Sequence, residues 1–206
     1  MLMKKLMMMT LLLMMMAVTA NAKSAVAVKS GDVNVFVQSG KTATLKLDFS
    51  KAKIANLSKN ELTDKLMRTH LEETDPVTAE NWESKHVPEC RAFFIERWNE
   101  GKNCLKMVDG TSGDYQVIVN IDYIDFGSGS AAVWGFGKKA GGAIIRGTLD
   151  VKDASGKTIC TLDINDLRGM SQRTMDMKLP TFGRRMALLF KTVAKEVLDF
   201  VKAETK

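Results

Sequence analysis

The chain has 206 residues, with 30 Lys and Arg against 24 Asp and Glu and a formal charge of +6. Hydrophobic residues make up 45% and charged residues 26%, with only 3 Pro and 15 Gly. These values exclude a collagen-like, acidic or disordered chain and require a packed core.

Residues Met1 to Ala22 read MLMKKLMMMTLLLMMMAVTANA. Lys4 and Lys5 give a short positive region, Leu6 to Val18 an apolar run broken only by Thr10, and Ala20-Asn21-Ala22 a small-residue cleavage site. This is the pattern of a secretory signal peptide cleaved after Ala22, because the run is too short to cross roughly 30 Å of hydrocarbon at about 1.5 Å per residue. The expected location is periplasmic or secreted. No cysteine follows the run, so N-terminal lipidation is not expected. Removing residues 1–22 takes away two lysines and no acid, leaving 184 residues at +4, a length suited to one α/β domain over residues 23–206. No later apolar run approaches eighteen residues, so membrane contact is expected to be peripheral at most.

Asp32 to Gln38 (DVNVFVQ) and Thr42 to Phe49 (TATLKLDF) both alternate, with Ser39-Gly40 between them. They read as an N-terminal β-hairpin over 32–49 with one buried face. A helical segment is expected within 61–100. Leu62 and Leu66 mark a short helix, the polar stretch Thr69 to Val77 a connection, and Thr78 a cap for a helical stretch through Trp82 and His86. Pro88 then kinks that helix or opens a new one. Val87, Cys90, Phe94 and Trp98 follow as an apolar stripe, with Gly101 ending the helix.

Strands are expected within 104–165. Tyr115 to Asp125 places Tyr115, Val117, Val119, Ile121 and Tyr123 on one face, and Gly142 to Lys152 alternates Ala143, Ile145, Gly147, Leu149 and Val151 with polar residues. Lys157 to Asp163 follows the turn Asp153-Ala154-Ser155-Gly156, completing an antiparallel meander. Met186, Phe190, Val193, Val197 and Val201 recur at helical spacing and define a terminal amphipathic helix over 181–203. The fold class expected is α+β: a single layer of mostly antiparallel sheet, hairpin plus meander, covered by amphipathic helices.

Cys90, Cys104 and Cys160 are disulfide candidates in an oxidising compartment, with Cys104 and Cys160 both in strand-like segments. Buried free thiols are the alternative. His86 with the three cysteines makes up a Cys3His set by count, but without the close ligand pairs of a zinc site, so no metal or cofactor is implied.

The unusual segment is Phe126 to Gly142, FGSGSAAVWGFGKKAGG, rich in glycine and carrying Trp134, Phe136, Lys138 and Lys139. Gly135 to Ala140 matches G-x-G-x-x-A, but a β-period run follows where a dinucleotide site needs a helix. Two readings stay open. In one, the glycines serve a bulge or close approach while Trp134 and Phe136 enter the core. In the other, Trp134 and Phe136 are exposed anchors with Lys138 and Lys139 as a charged rim, suited to an envelope protein or an acidic glycan. Exposure of Trp134 separates them.

Ile124-Asp125-Phe126-Gly127, Trp134 to Gly137, Gly141 to Val151 and Asp153 to Ile159 together form a strand, a W-G-F-G loop, an alternating strand, a D-x-x-G-K turn and a third strand. This order resembles a family of uncharacterised bacterial cell-envelope proteins, many of them lipoproteins. The similarity covers roughly Asp114 to Val201. It implies an α/β domain in the periplasm or at the outer membrane, and brings no activity or catalytic residue with it. This chain departs from the family in lacking the lipidation cysteine.

No catalytic residue is identified. G-x-S-x-G is absent, and only His70 and His86 offer a histidine base. The aspartates follow strand alternation and turns, and Asp163 to Gly169 fails as a calcium loop at Leu167 and Arg168. The basic residues of the last helix interleave with Glu196, Asp199 and Glu204 without aromatic stacking partners, so no nucleic-acid partner is expected. The sequence therefore implies a non-catalytic cell-envelope protein with a binding or assembly role. An envelope-glycan-acting hydrolase or transferase is the alternative.

Overall fold

The computed structural model describes residues 24–54, 82–125, 143–169 and 182–206. The chain is α+β. In order it forms β1 (Val26–Gly31), a 3-10 helix (Val33–Val37), β2 (Thr42–Asp48), β3 (Lys53–Ile54) and a π-helical turn (Trp82–His86). Helix α1 (Val87–Asn99), β4 (Lys106–Val108), β5 (Tyr115–Asp125), β6 (Ile144–Asp153), β7 (Thr158–Arg168) and α2 (Phe182–Glu204) follow.

The strands make one sheet in the order β1-β7-β6-β5-β2-β4, with β3 also beside β5. Strands β5, β6 and β7 form an antiparallel meander, and β1 adds antiparallel to β7. The β6–β7 turn follows from its residues: Asp153 accepts from the Ser155 and Lys157 amides, and Gly156 takes φ 83°. On the other side of β5 every pairing is parallel: β2 with β5 and β4, and β3 with β5. Strand β2 runs along Tyr115 to Asn120 and β3 resumes at Tyr123, so together they act as one edge interrupted by a turn.

The sheet is therefore mixed, and the N-terminal hairpin is not formed. Val33–Val37 leaves the β period because Asp32 caps it, accepting from the Asn34 amide at 2.8 Å. Neighbours Val35 and Phe36 are both buried in the core cluster, and a 3-10 turn places the two side by side against it. The strand lies one segment earlier, in β1, and Gly31 ends it at φ 88°, where a Cβ would lie 2.0 Å from the Ile159 carbonyl oxygen.

One apolar cluster joins the sheet to both helices. Pro88 occupies the first turn of α1, whose Cys90, Phe94 and Trp98 are fully buried. The rings of Phe94 and Trp98 stack at 5.6 Å, and Trp98 Nε1 donates to the Leu105 carbonyl at 2.7 Å. Helix α2 buries Met186, Phe190, Val193, Val197 and Val201, the five positions of the sequence stripe. The Glu61 to Arg68 helix, residues 1–22 and the Phe126–Gly142 segment lie outside the described residues.

Candidate functional site

Along β6, buried Ile145, Leu149 and Val151 alternate with Arg146, Thr148, Asp150 and Lys152 on the opposite face. That opposite face is built from polar ladders. Asp150 accepts from Asn120 Nδ2 at 2.8 Å on β5 and from Thr161 Oγ1 at 2.8 Å on β7, and Asn120 also donates to Thr148 at 3.1 Å. These bonds hold three strands in register through side chains as well as backbone.

At one end of this face the ladders break three times. Between β1 and β7 the register skips Lys29, between β5 and β6 it skips Asp122, and between β6 and β7 it passes Arg146 on one strand and Asn165 and Asp166 on the other. Bulges of this kind bend the strand and redirect side chains. A groove of about 600 Å³ lies there, and the skipped residues Lys29, Asp122, Arg146 and Asn165 all line it. Gly147 belongs to the same construction: a Cβ at this position would sit 1.9 Å from the Asn120 carbonyl oxygen, so only glycine allows the strands to close.

The bulge at Asp122 also corrects the face assignment along β5. Past it the parity changes, so Ile124 enters the core and Tyr123 turns to the groove, opposite to the sequence alternation. The Arg146 guanidinium lies 4.5 Å from the centre of the Tyr123 ring and pairs with Asp166. Lys29 pairs with Asp163 at 3.2 Å. Lys51 and Lys53 complete the cationic lining, and among the described residues neither side chain makes an ion pair or hydrogen bond. A second recess of about 320 Å³ shares Lys51, Asp122 and Thr148 with the groove and adds Asp48 and Asp150. Hydrogen bonds from Ser50 and then Lys46 hold the Asp48 carboxyl well below the usual carboxylate range.

Tyr123 and Arg146 pair two ladder positions from the point where the chain leaves β5 for the 126–142 segment. Trp134, Phe136, Lys138 and Lys139 themselves lie outside the described residues, as does His70. The disulfide candidates do not pair: Cys90, Cys104 and Cys160 are free thiols. Strands β4 and β7 stand four spacings apart, about 19 Å at about 4.8 Å each, whereas a bridge needs Cα atoms within about 7 Å. Burial pushes the Cys90 thiol up strongly and that of Cys160 up to about 11, which leaves both protonated. His86 is 1% exposed beneath α2, where a Cβ on Gly183 would lie 2.5 Å from its Nδ1. It faces the core rather than a cleft. Among the described residues no group of three His, Cys, Asp or Glu side chains is placed to hold a metal ion, and no helix is long and apolar enough to cross a membrane.

The groove was not legible from periodicity. Each of its bulges interrupts an otherwise regular alternation by a residue or two, and only the strand partner reveals which residue is skipped. Gly147 inside an alternating run was the one available signal.

No family model matches the chain, and no curated protein matches it. Among solved structures, a dodecameric PelC variant from Paraburkholderia phytofirmans aligns over 83% of this chain and 95% of that chain, with a TM-score of 0.34 and 8% identity. A likeness at that level carries no argument.

Proposed function

We propose that this chain is a non-catalytic cell-envelope protein, periplasmic or secreted after cleavage at Ala22, with a binding or assembly role. It belongs with the W-G-F-G envelope proteins that its second half resembles. In this reading a single sheet layer has one face covered by its amphipathic helices and presents the other for contact. The observation that carries the reading is the groove on that polar face, where Lys51 and Lys53 stand without partners among the described residues and three ladder breaks redirect side chains into one place. Strands suit such a surface, since they hold charged groups without the ordering cost of a loop; Lys29, Lys53, Asp122 and Arg146 stand on strands, and Lys51 lies in the turn before β3. Trp134, Phe136, Lys138 and Lys139, which lie outside the described residues, remain part of the proposed contact set on their sequence alone.

The alternative, a glycan-acting hydrolase or transferase, needs a carboxyl raised in pKa as proton donor. Asp48, in the recess beside the groove, is shifted the opposite way.

Fractionation of the native host and crosslinking capture from its envelope fraction test the proposal together. The expected outcome is a mature chain starting at Lys23 outside the cytosol. It captures an envelope component that is lost in a Trp134→Ala, Lys138→Ala, Lys139→Ala variant or in a Lys51→Ala, Lys53→Ala variant. A full-length cytosolic protein, or equal capture by all three forms, would overturn it.

A further inference from the structure

We infer that the groove between Lys29, Lys53 and Arg146 binds a carboxylate-bearing saccharide, an inference that rests on the binding role proposed above and names its ligand class. The first argument is the balance of charge. Once Lys29 is set against Asp163 and Arg146 against Asp166, Lys51 and Lys53 outnumber the groove's remaining acid, Asp122, while in the adjoining recess Asp48 is paired with Lys46 and Asp150 accepts from Asn120 and Thr161. The groove therefore favours an anion, yet one of modest charge density, since Asp122 and Asp163 repel a tightly packed polyanion.

The second argument concerns hydroxyl groups. The carboxylates of Asp122 and Asp163 accept O–H hydrogen bonds, and the Thr148 hydroxyl and Asn165 amide both donate and accept. Ammonium groups for a carboxylate beside acceptors for hydroxyls match a sugar that carries both. A groove of about 600 Å³ falls within the range of small-ligand sites, about 300–1,000 Å³, and takes a short stretch of chain.

Other anions fit less well. Nucleic acid binding without base pairing relies on open aromatic faces, but the guanidinium of Arg146 already covers the Tyr123 ring. An anionic bilayer is met by clusters of about four to eight basic residues, whereas here Asp122 and Asp163 interleave with the lysines and Arg146. Among the described residues, three of the four register shifts along the strand pairings converge on this place, the fourth lying at Lys152 on β6. They bring Lys29 from β1, Asp122 from β5 and Arg146 from β6 to one groove, while Lys152, farther along β6, lies outside it.

The test is titration of the purified mature protein with oligogalacturonate, with neutral dextran, inorganic polyphosphate and phosphatidylglycerol vesicles in parallel. Oligogalacturonate is expected to bind, and to bind less tightly as salt rises. The Lys51→Ala, Lys53→Ala variant is expected to bind about two- to thirtyfold more weakly, as the loss of two exposed charge contacts implies. Lys152→Ala, on the same face outside the groove, is expected to bind as wild type does. Matching thermal midpoints confirm that both variants fold. Absence of oligogalacturonate binding, equal weakening by Lys152→Ala, or polyphosphate or vesicles binding as well as the saccharide would overturn the inference. If oligogalacturonate fails while envelope capture still depends on Lys51 and Lys53, the ligand class falls and the binding role stands.

Discussion

The two faces of the sheet are made from the same strands and follow opposite rules. On the helix-covered face Val117, Val119, Leu149, Val151, Leu162, the α2 stripe and Cys90, Phe94 and Trp98 of α1 are buried to within a few per cent. That face draws its stability from apolar area removed from water. On the other face the same strands hold Asn120, Thr148, Asp150 and Thr161 in hydrogen-bonded ladders, and farther along they give up regular pairing to gather lysines and Arg146 around a groove. Exposed ion pairs such as Lys29–Asp163 stabilise little. On the binding role proposed above, the difference separates stability from recognition: substitutions on one face should unfold the protein, and those on the other should change what it binds.

The hardest way to break that separation is to remove its apolar anchor. Trp98 is fully buried, stacks on Phe94 and donates to the Leu105 carbonyl, tying α1 to the strand that follows. Trp98→Ala is expected to cost about 3–5 kcal/mol in urea unfolding through the cavity it leaves. A cost below about 1 kcal/mol, the scale of a surface change, would show that the helix layer does not carry the fold.

At Gly147 the two faces meet. Its backbone lies against Asn120 while its neighbours Arg146 and Thr148 line the groove, so Gly147→Ala forces the β5–β6 ladder apart at the bulge. The expected cost is about 1–3 kcal/mol, with loss of any groove ligand as well, because the strands cannot keep their register. Loss of stability without loss of binding would sharpen the comparison the other way, making the groove independent of the strand closure beneath it.

Much of the helix-covered face was legible from the sequence. The period of Met186, Phe190, Val193, Val197 and Val201 required a helix, and that of Ala143 to Val151 a strand, because each repeats one geometric step many times. Val33 to Val37 was not legible. Its alternation is that of a strand, and only the Asp32 cap and the room for Phe36 beside Trp98 turn it into a 3-10 helix. The parallel pairing of β2 with β5 was equally hidden, since it joins segments some seventy residues apart and no local turn records it. The candidate site was the least legible part. No motif or periodicity marks Lys51 and Lys53, and their meaning comes from Lys29 and Arg146, which other strands carry to the same groove.

The smallest expected effect concerns the start of that hidden parallel pair. Asp114, just before β5, accepts from the Thr42 amide at 2.9 Å, from the Thr42 hydroxyl at 3.1 Å and from Lys41 Nζ at 2.9 Å. The Thr42 backbone bond, with Lys41 next, lowers its carboxyl to about 2. The unfolded value is about 3.9, so the folded pKa is depressed. Its contribution is then present above about pH 4 and is lost as pH falls toward about 2. Asp114→Asn is expected to lower the thermal midpoint slightly near neutral pH, where the exposed site is screened by solvent, and the gap to wild type should close across that acid window. A gap that persists at the acid end would mean that shape, not charge, holds β2 against β5. Register on the parallel side would then rest on the same packing that governs the helix-covered face.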